Sequence, residues 1–266
     1  MAESVIEWVW RRLPDGLVVP GYTFNIVWGC VKVSEACRDC YALSFARRLG
    51  LDLWGSGAPR KTFGADYWRR PLLWNREAAR TGHRRNVFCS SMADTFEDHP
   101  TVGQERAKLW PLIECTPWLN WLLLTKRPQH IMRMAPWGRA FPDNVWVGTS
   151  VETQRRAEER IPSLLQVPAR VRFLSCEPLL ESLGLYPWLP ALQWVIVGGE
   201  SGSRPRPMEP SWVHALRAQC QLERVPFFFK QWGGRYHNSN GRLLDGRTYD
   251  EMPSECGSLS SSREVR

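Results

Sequence analysis

Apolar positions fall into short, dense runs separated by polar and glycine-rich stretches. Runs rich in β-branched and aromatic residues occupy positions 24–28, 86–90, 121–125, 145–149, 171–176, 194–197 and 226–230. Several are continuous rather than alternating, the pattern of parallel strands covered on both faces. From the second onward their spacing is that of βα units. The pattern predicts an α/β fold, a partial or complete (β/α) TIM-type barrel.

Helix signals sit between the runs. Ala42, Phe45, Ala46 and Leu49 fall at i, i+3, i+4 and i+7, with Gly50 as a stop, which predicts a helix over 41–49. Pro128 opens a second, to about Ala135. Ser211 is the expected cap of a third, with Val213, Leu216 and Cys220 on one face. The Gly- and aromatic-rich stretch 52–68 reads as an insertion in a single barrel domain spanning 1–252. The Ser- and charge-dominated stretch 253–266 reads as a disordered tail.

Composition narrows this little. A length of 266 residues suits one large barrel, and 43% hydrophobic with 23% charged residues excludes wholesale disorder. Charged Glu3, Glu7, Arg11 and Arg12 leave no apolar leader core. The longest apolar stretches fall far below the roughly 20 residues that span a bilayer. The expectation is a soluble cytoplasmic protein with reduced thiols and no membrane partner. A net charge of +8 and fifteen Trp suit a nucleic-acid partner. Most of the tryptophans beside turns (Trp28, Trp54, Trp68, Trp118, Trp137, Trp188) are better read as helix–sheet packing.

Chemistry concentrates in the cysteines. Three of the eight, Cys30, Cys37 and Cys40, form C-x6-C-x2-C after the first predicted strand and before the first predicted helix. In a parallel barrel that loop lies at the C-terminal mouth. Three thiolates on one loop can hold three corners of a [4Fe–4S] cluster and leave one iron open. The same cysteines with Cys89 as a fourth ligand would make a structural zinc site. The other cysteines read as small buried hydrophobes. His83, His99, His130, His214 and His237 show no metal spacing.

The predicted strand ends carry a ring of polar residues: Ser91 and Asp94, then Lys126 and Arg127, Ser150 and Glu152, Glu177, Glu200, and Lys230 with Gln231. Carboxylates facing an ammonium, and cations facing a carboxylate, could bind a zwitterion or a polar substrate. Asp94, Glu177, Glu200 and Lys230 are the candidates for catalysis. Ser91, Lys126, Arg127, Ser150, Glu152, Gln231 and Trp232 are the candidates for holding a cofactor, with Trp232 lining the mouth.

Several of these segments resemble one family. Gly29-Cys30, Cys37-Arg38-Asp39-Cys40-Tyr41-Ala42, Ser91-Met92-Ala93-Asp94-Thr95-Phe96, Leu124-Thr125-Lys126-Arg127-Pro128 and Arg172-Phe173-Leu174-Ser175-Cys176-Glu177-Pro178-Leu179 are among them. Val147-Gly148-Thr149-Ser150-Val151-Glu152, Val197-Gly198-Gly199-Glu200-Ser201-Gly202, Phe229-Lys230-Gln231-Trp232-Gly233 and Leu244-Asp245-Gly246-Arg247-Thr248 continue the match. The chain resembles the phage and prophage family named for gene products thirty-seven and sixty-eight, which carries a three-Cys motif. That family looks like a divergent branch of the radical S-adenosylmethionine (SAM) enzymes. The resemblance implies a radical-SAM-like barrel whose Cys30, Cys37 and Cys40 hold a [4Fe–4S] cluster and whose open iron takes SAM. The first gap of six residues departs from the commoner C-x3-C-x2-C. Gly198-Gly199-Glu200 follows the sixth predicted strand rather than the second, so Glu200 carries over only as an acid at the mouth.

Three functions follow as expectations. The first is a radical-SAM-like iron–sulfur enzyme acting on an unread substrate, a nucleobase being one choice. The second is a zinc-stabilised nucleic-acid-binding or accessory protein of a phage or mobile element, working with a protein partner and without catalysis. The third is a cluster-free barrel enzyme using Glu177, Glu200 and Lys230 for acid–base work.

Overall fold

The computed structural model describes residues 3–13, 15–236 and 238–254. The predicted tail lies outside these residues beyond position 254, as do His237 and Cys256. In chain order the elements are β1 (Arg11–Arg12), β2 (Val18–Val19), β3 (Tyr22–Thr23), α1 (Tyr41–Arg48), α2 (Ala65–Trp68), α3 (Arg70–Thr81), β4 (Arg85–Cys89) and α4 (Pro100–Glu114). Then come β5 (Leu119–Thr125), α5 (Ile131–Met134), β6 (Val145–Ser150), α6 (Gln154–Leu165), β7 (Val171–Cys176), β8 (Trp194–Gly198), α7 (Pro210–Leu222) and β9 (Phe227–Gln231).

Strands β3 to β9 form one seven-stranded sheet in sequential order, and every neighbouring pair is parallel. β3 and β9 are the edges of that order, so the sheet is an open half-barrel of TIM type. β1 and β2 make a separate antiparallel pair. The expected strands from β4 onward are present within two residues at each end. They form because their runs are apolar on both faces, and β4, β6 and β8 are buried at every position.

The two faces carry different cores. Trp74, Leu109, Ile161, Leu164, Val213 and Leu216 bring α3, α4, α6 and α7 onto the face lined by Val87, Trp121, Val147, Leu174 and Val197. The opposite face packs Phe88, Leu122, Trp146, Phe173, Trp194 and Phe228 around Trp8 of a 3-10 turn, Glu7–Val9. Trp8 meets Phe88 edge-on at 4.7 Å and Trp194 at 6.1 Å. Gly148 makes room for this cluster, because a Cβ there would stand 2.4 Å from the Phe173 ring. Trp68, Trp118, Trp137, Trp188 and Trp232 pack around the helix-side core, the packing role expected of most of them.

Three expectations are corrected. The first strand is Tyr22–Thr23, not 24–28. Phe24 N–H still donates to Phe88 O, but from Asn25 onward the chain leaves the sheet because its polar groups find other partners: the Asn25 N–H donates to Tyr67 Oη, and Trp28 bridges Lys61. On α1, Ala42, Leu43 and Ala46 face the core, while Phe45 and Leu49 are exposed. On α7 the cap position is Glu209 with Pro210 opening the helix, so Ser211 lies inside the first turn.

Candidate cysteine-loop site at the strand ends

The cysteine loop is held from behind by its own chain. The Asn25 side chain accepts from the Met92 N–H at 2.7 Å and donates to Ser91 Oγ at 3.2 Å, fixing the approach to the loop. Gly29 sits at φ +113°, where a Cβ would stand 2.4 Å from the Leu53 carbonyl oxygen, so only glycine fits. Residues 53–61 then run alongside: Gly55 N–H donates to Cys30 O and Lys61 pairs with Trp28. Arg60 secures this stretch with an ion pair to Glu97 at 2.8 Å and hydrogen bonds to the carbonyls of Leu53, Gly55 and Ala58.

Cys37 ends the 3-10 turn Glu35–Cys37, and Cys40 is the N-cap residue of α1. A helix N-terminus favours a negative charge beside it. Tyr41 Oη donates to Ser91 O at 2.6 Å and ties the start of α1 to the loop after β4. The three thiols are free and half-buried.

Two cations from the end of β5 face this loop. Arg127 donates to Cys30 Sγ at 3.8 Å, to Val31 O at 2.9 Å and to Asp94 at 2.8 Å. Burial pushes the Cys30 thiol up to about 12, aided by Asp94 and opposed by Arg127. Burial also pushes Cys37 up, but the Lys126 charge and hydrogen bonds at Val33 and Ser34 outweigh it and leave that thiol below the ordinary range.

Asp94 is engaged on both oxygens. It accepts from Thr125 Oγ1 at 2.6 Å and from the backbone N–H groups of Lys126 and Phe96, besides Arg127. That geometry holds the loops after β4 and β5 together. Each other acid of the ring has its own cation: Glu152 with Arg160 at 2.7 Å, Glu177 with Lys230, and Glu200 with Arg206. Glu152 is fully buried, and its Oε1 has no hydrogen-bond partner. Lys126 Nζ donates to Ser150 Oγ at 3.3 Å and has no carboxylate partner among the described residues.

Gln231 and the glycines after β8 are backbone devices. Gly199 N–H donates to Gln231 O, Gly234 N–H to Glu200 O, and Gly202 N–H to Gly234 O. These bonds zip the loops after β8 and β9 side by side. A Cβ on Gly199 would stand 2.2 Å from Trp232 O, so close backbone approach explains the second glycine of the Gly-Gly-Glu segment. Gln231 Nε2 completes the zipper with bonds to Gly199 O and Ser201 Oγ. Trp232 lines a cavity beside it with Arg206 and Asn240.

Among the described residues, no three His, Cys, Asp or Glu side chains stand where they could share one metal ion. Cys89, the fourth ligand of the zinc reading, is buried against Ser90 and Thr95. Sequence reasoning missed Arg60, Glu97, Arg160, Arg206 and Asn240. Arg160 had a readable signal: with Ala157, Ile161 and Leu164 it lies on the buried stripe of α6, where an unpaired arginine would be costly. The others sit in loops or irregular stretches, where no periodicity marks them.

The fold and the site together define an open parallel (β/α) half-barrel with a cysteine loop packed over its strand ends. Residues 5–253 match the family described as protein of unknown function, DUF5131, and the chain belongs to that family. The match bears that description rather than a phage family name. No curated protein matches the chain. Among solved structures, one spore photoproduct lyase variant is similar at TM-score 0.45 and 11% identity over 80% of this chain. Another, with bound AdoMet and dinucleoside spore photoproduct, is similar at TM-score 0.43 and 10% identity over 82% of this chain. The chain spans 62% of the first structure's length and 65% of the second's. No helix among the described residues is long and apolar enough to cross a membrane.

Proposed function

We propose that this chain is an iron–sulfur enzyme of the radical-SAM type, with Cys30, Cys37 and Cys40 as the ligands of a [4Fe–4S] cluster. The observation that carries the reading is Arg127, which reaches from the Asp94 carboxylate to Cys30 Sγ and Val31 O. It brings positive charge onto a thiol that burial makes hard to ionise, which suits an anionic thiolate-bound group. Lys126 beside Cys37 and the α1 N-terminus at Cys40 add to the same field. A cubane binds its thiolates on separate irons, so it does not need three sulfurs around one point.

The chemistry such a group supplies when bound is the one-electron reductive cleavage of SAM. This chain's part is to hold the zwitterionic end of that molecule. Lys126 Nζ offers a cation for its carboxylate, and the unpartnered Oε1 of Glu152 offers an acceptor for its ammonium. Arg160 keeps Glu152 in place through the other carboxylate oxygen. Lys230 donates to Glu177 Oε1 and leaves Oε2 to exchange a proton with a substrate at the mouth.

Anaerobic purification followed by iron, sulfide and zinc analysis tests the reading. About four irons with matching sulfide per chain are expected, and reduced protein mixed with SAM should release 5′-deoxyadenosine. Zinc without sulfide would overturn it.

A further inference from the structure

We infer that the cavity between the loops after β8 and β9 takes the base of a nucleotide, whether free or within a strand. This rests on the proposed function only in making that base the group presented to the cysteine loop. The cavity, of about 390 Å³, is walled by Trp232, Met208, Pro205, Pro207, Arg206 and Asn240. That volume falls in the range of small-molecule sites.

Each wall has a distinct capacity. The Trp232 indole N–H is taken by Leu243 O at 2.8 Å, and Phe229 braces its ring edge-on at 4.9 Å. What Trp232 has left to offer a ligand is a fixed aromatic face, on which any base can stack. Met208 and the two prolines extend the apolar slot. Arg206 is matched by Glu200, which accepts from its Nε and backbone N–H at 2.8 and 3.0 Å, so the slot itself does not attract a free anion. Among the described residues the Asn240 side-chain amide has no hydrogen-bond partner, and it carries one donor group and one acceptor, the pairing that reads a base edge.

A charge for the phosphate stands beside the slot. Arg204 is exposed and has no ion pair among the described residues, and its field reaches Asp39. The neighbouring Gly202 lies close to the Asp39 carbonyl oxygen, 3.7 Å from where its Cβ would be. The loop after β8 therefore runs from the cysteine loop to the slot. A flat apolar slot, an unengaged amide and an adjacent unneutralised arginine together match a nucleotide better than a sugar, a lipid or a peptide.

Binding of the four 5′-ribonucleoside monophosphates and of a mixed-sequence single-stranded DNA of about twelve nucleotides to the full chain tests this. The two arms separate a free nucleotide from a base in a strand. Binding of either below roughly 1 mM is expected. W232A should weaken it about 10- to 100-fold, and W232F should restore most of the loss because the face is kept. N240A, at an exposed position, should weaken binding and flatten the preference among bases. R204A should reduce the salt dependence by about one ion. No binding to folded protein would overturn the inference, as would loss with R204A alone, which would mark a general anion surface. The assay needs no cluster: nucleotide binding without iron removes the proposed function and leaves the slot, and iron without nucleotide binding does the reverse.

Discussion

Arg60 and Glu97 form an ion pair at 2.8 Å with side chains 0% and 4% exposed, at the back of the cysteine loop. The same guanidinium satisfies carbonyls of residues 53–59, the stretch that lies along Cys30. A buried pair of this kind fixes geometry, and breaking it strands a charge. R60A or E97A should cost about 3–5 kcal/mol, read by chemical denaturation. In the double variant the losses should be far from additive. Additive losses would count against a direct coupling.

Asp94 gives the clearest pH signature. Burial pushes its carboxyl up, but the Arg127 charge and the hydrogen bonds from Thr125, Lys126 and Phe96 outweigh it and hold it below the usual carboxylate range. Its folded value thus lies below the unfolded one of about 3.9. The stabilisation is present in full above the unfolded value and disappears as the pH falls through the folded one. D94N should be less stable than the wild type at neutral pH, by about 3–5 kcal/mol. The gap should narrow below about pH 4, as measured by urea denaturation at stepped pH. A gap unchanged down to acid pH would show that the charge is not its source.

The cysteines divide by position. Alanine at Cys30, Cys37 or Cys40 should abolish iron and sulfide in anaerobically purified protein. Alanine at Cys89 or Cys220, both in the core, should leave the metal content intact and cost about 1 kcal/mol.

Lys126 separates binding from stability. Its ammonium contacts Ser150 Oγ without a carboxylate partner among the described residues. K126M should change stability by no more than about 0.5 kcal/mol. Its dissociation constant for SAM should rise about 10-fold, equivalent to about 1.4 kcal/mol, by calorimetry under anaerobic conditions.

The sheet was readable because β4 to β9 are centred on dense apolar runs, and a run buried on both faces needs no partner information to be recognised. The first run misled, since 24–28 is as apolar as a strand and as buried as one, yet it is held by Asn25, Tyr67 and Lys61 rather than by a ladder. Pro162 in α6 and Pro111 in α4 interrupt helices that tertiary packing nonetheless completes. At the site, the acids and cations of the strand ends were visible one by one. Their pairing was not, because Glu177 with Lys230 or Asp94 with Arg127 is decided by strand order and loop path. The Gly-Gly-Glu segment shows the same limit: its second glycine, Gly199, answers to Trp232 and Gly233 across a loop.

The turn at Glu7–Val9 ties the aromatic face of the sheet to the stretch after β9. Trp8 rests on Phe88 and Trp194, in the same cluster as Phe228 of the last strand, and Glu7 receives a hydrogen bond from Asn238 at 2.7 Å. Its partners are spread along the sequence from Phe88 to Asn238, and the last of these contacts spans 231 positions. Closing contacts of such sequence separation is slow, so until β9 joins the sheet the aromatic face is only partly covered. That interval, rather than any weakness of the finished fold, is where the nascent protein is most open to aggregation.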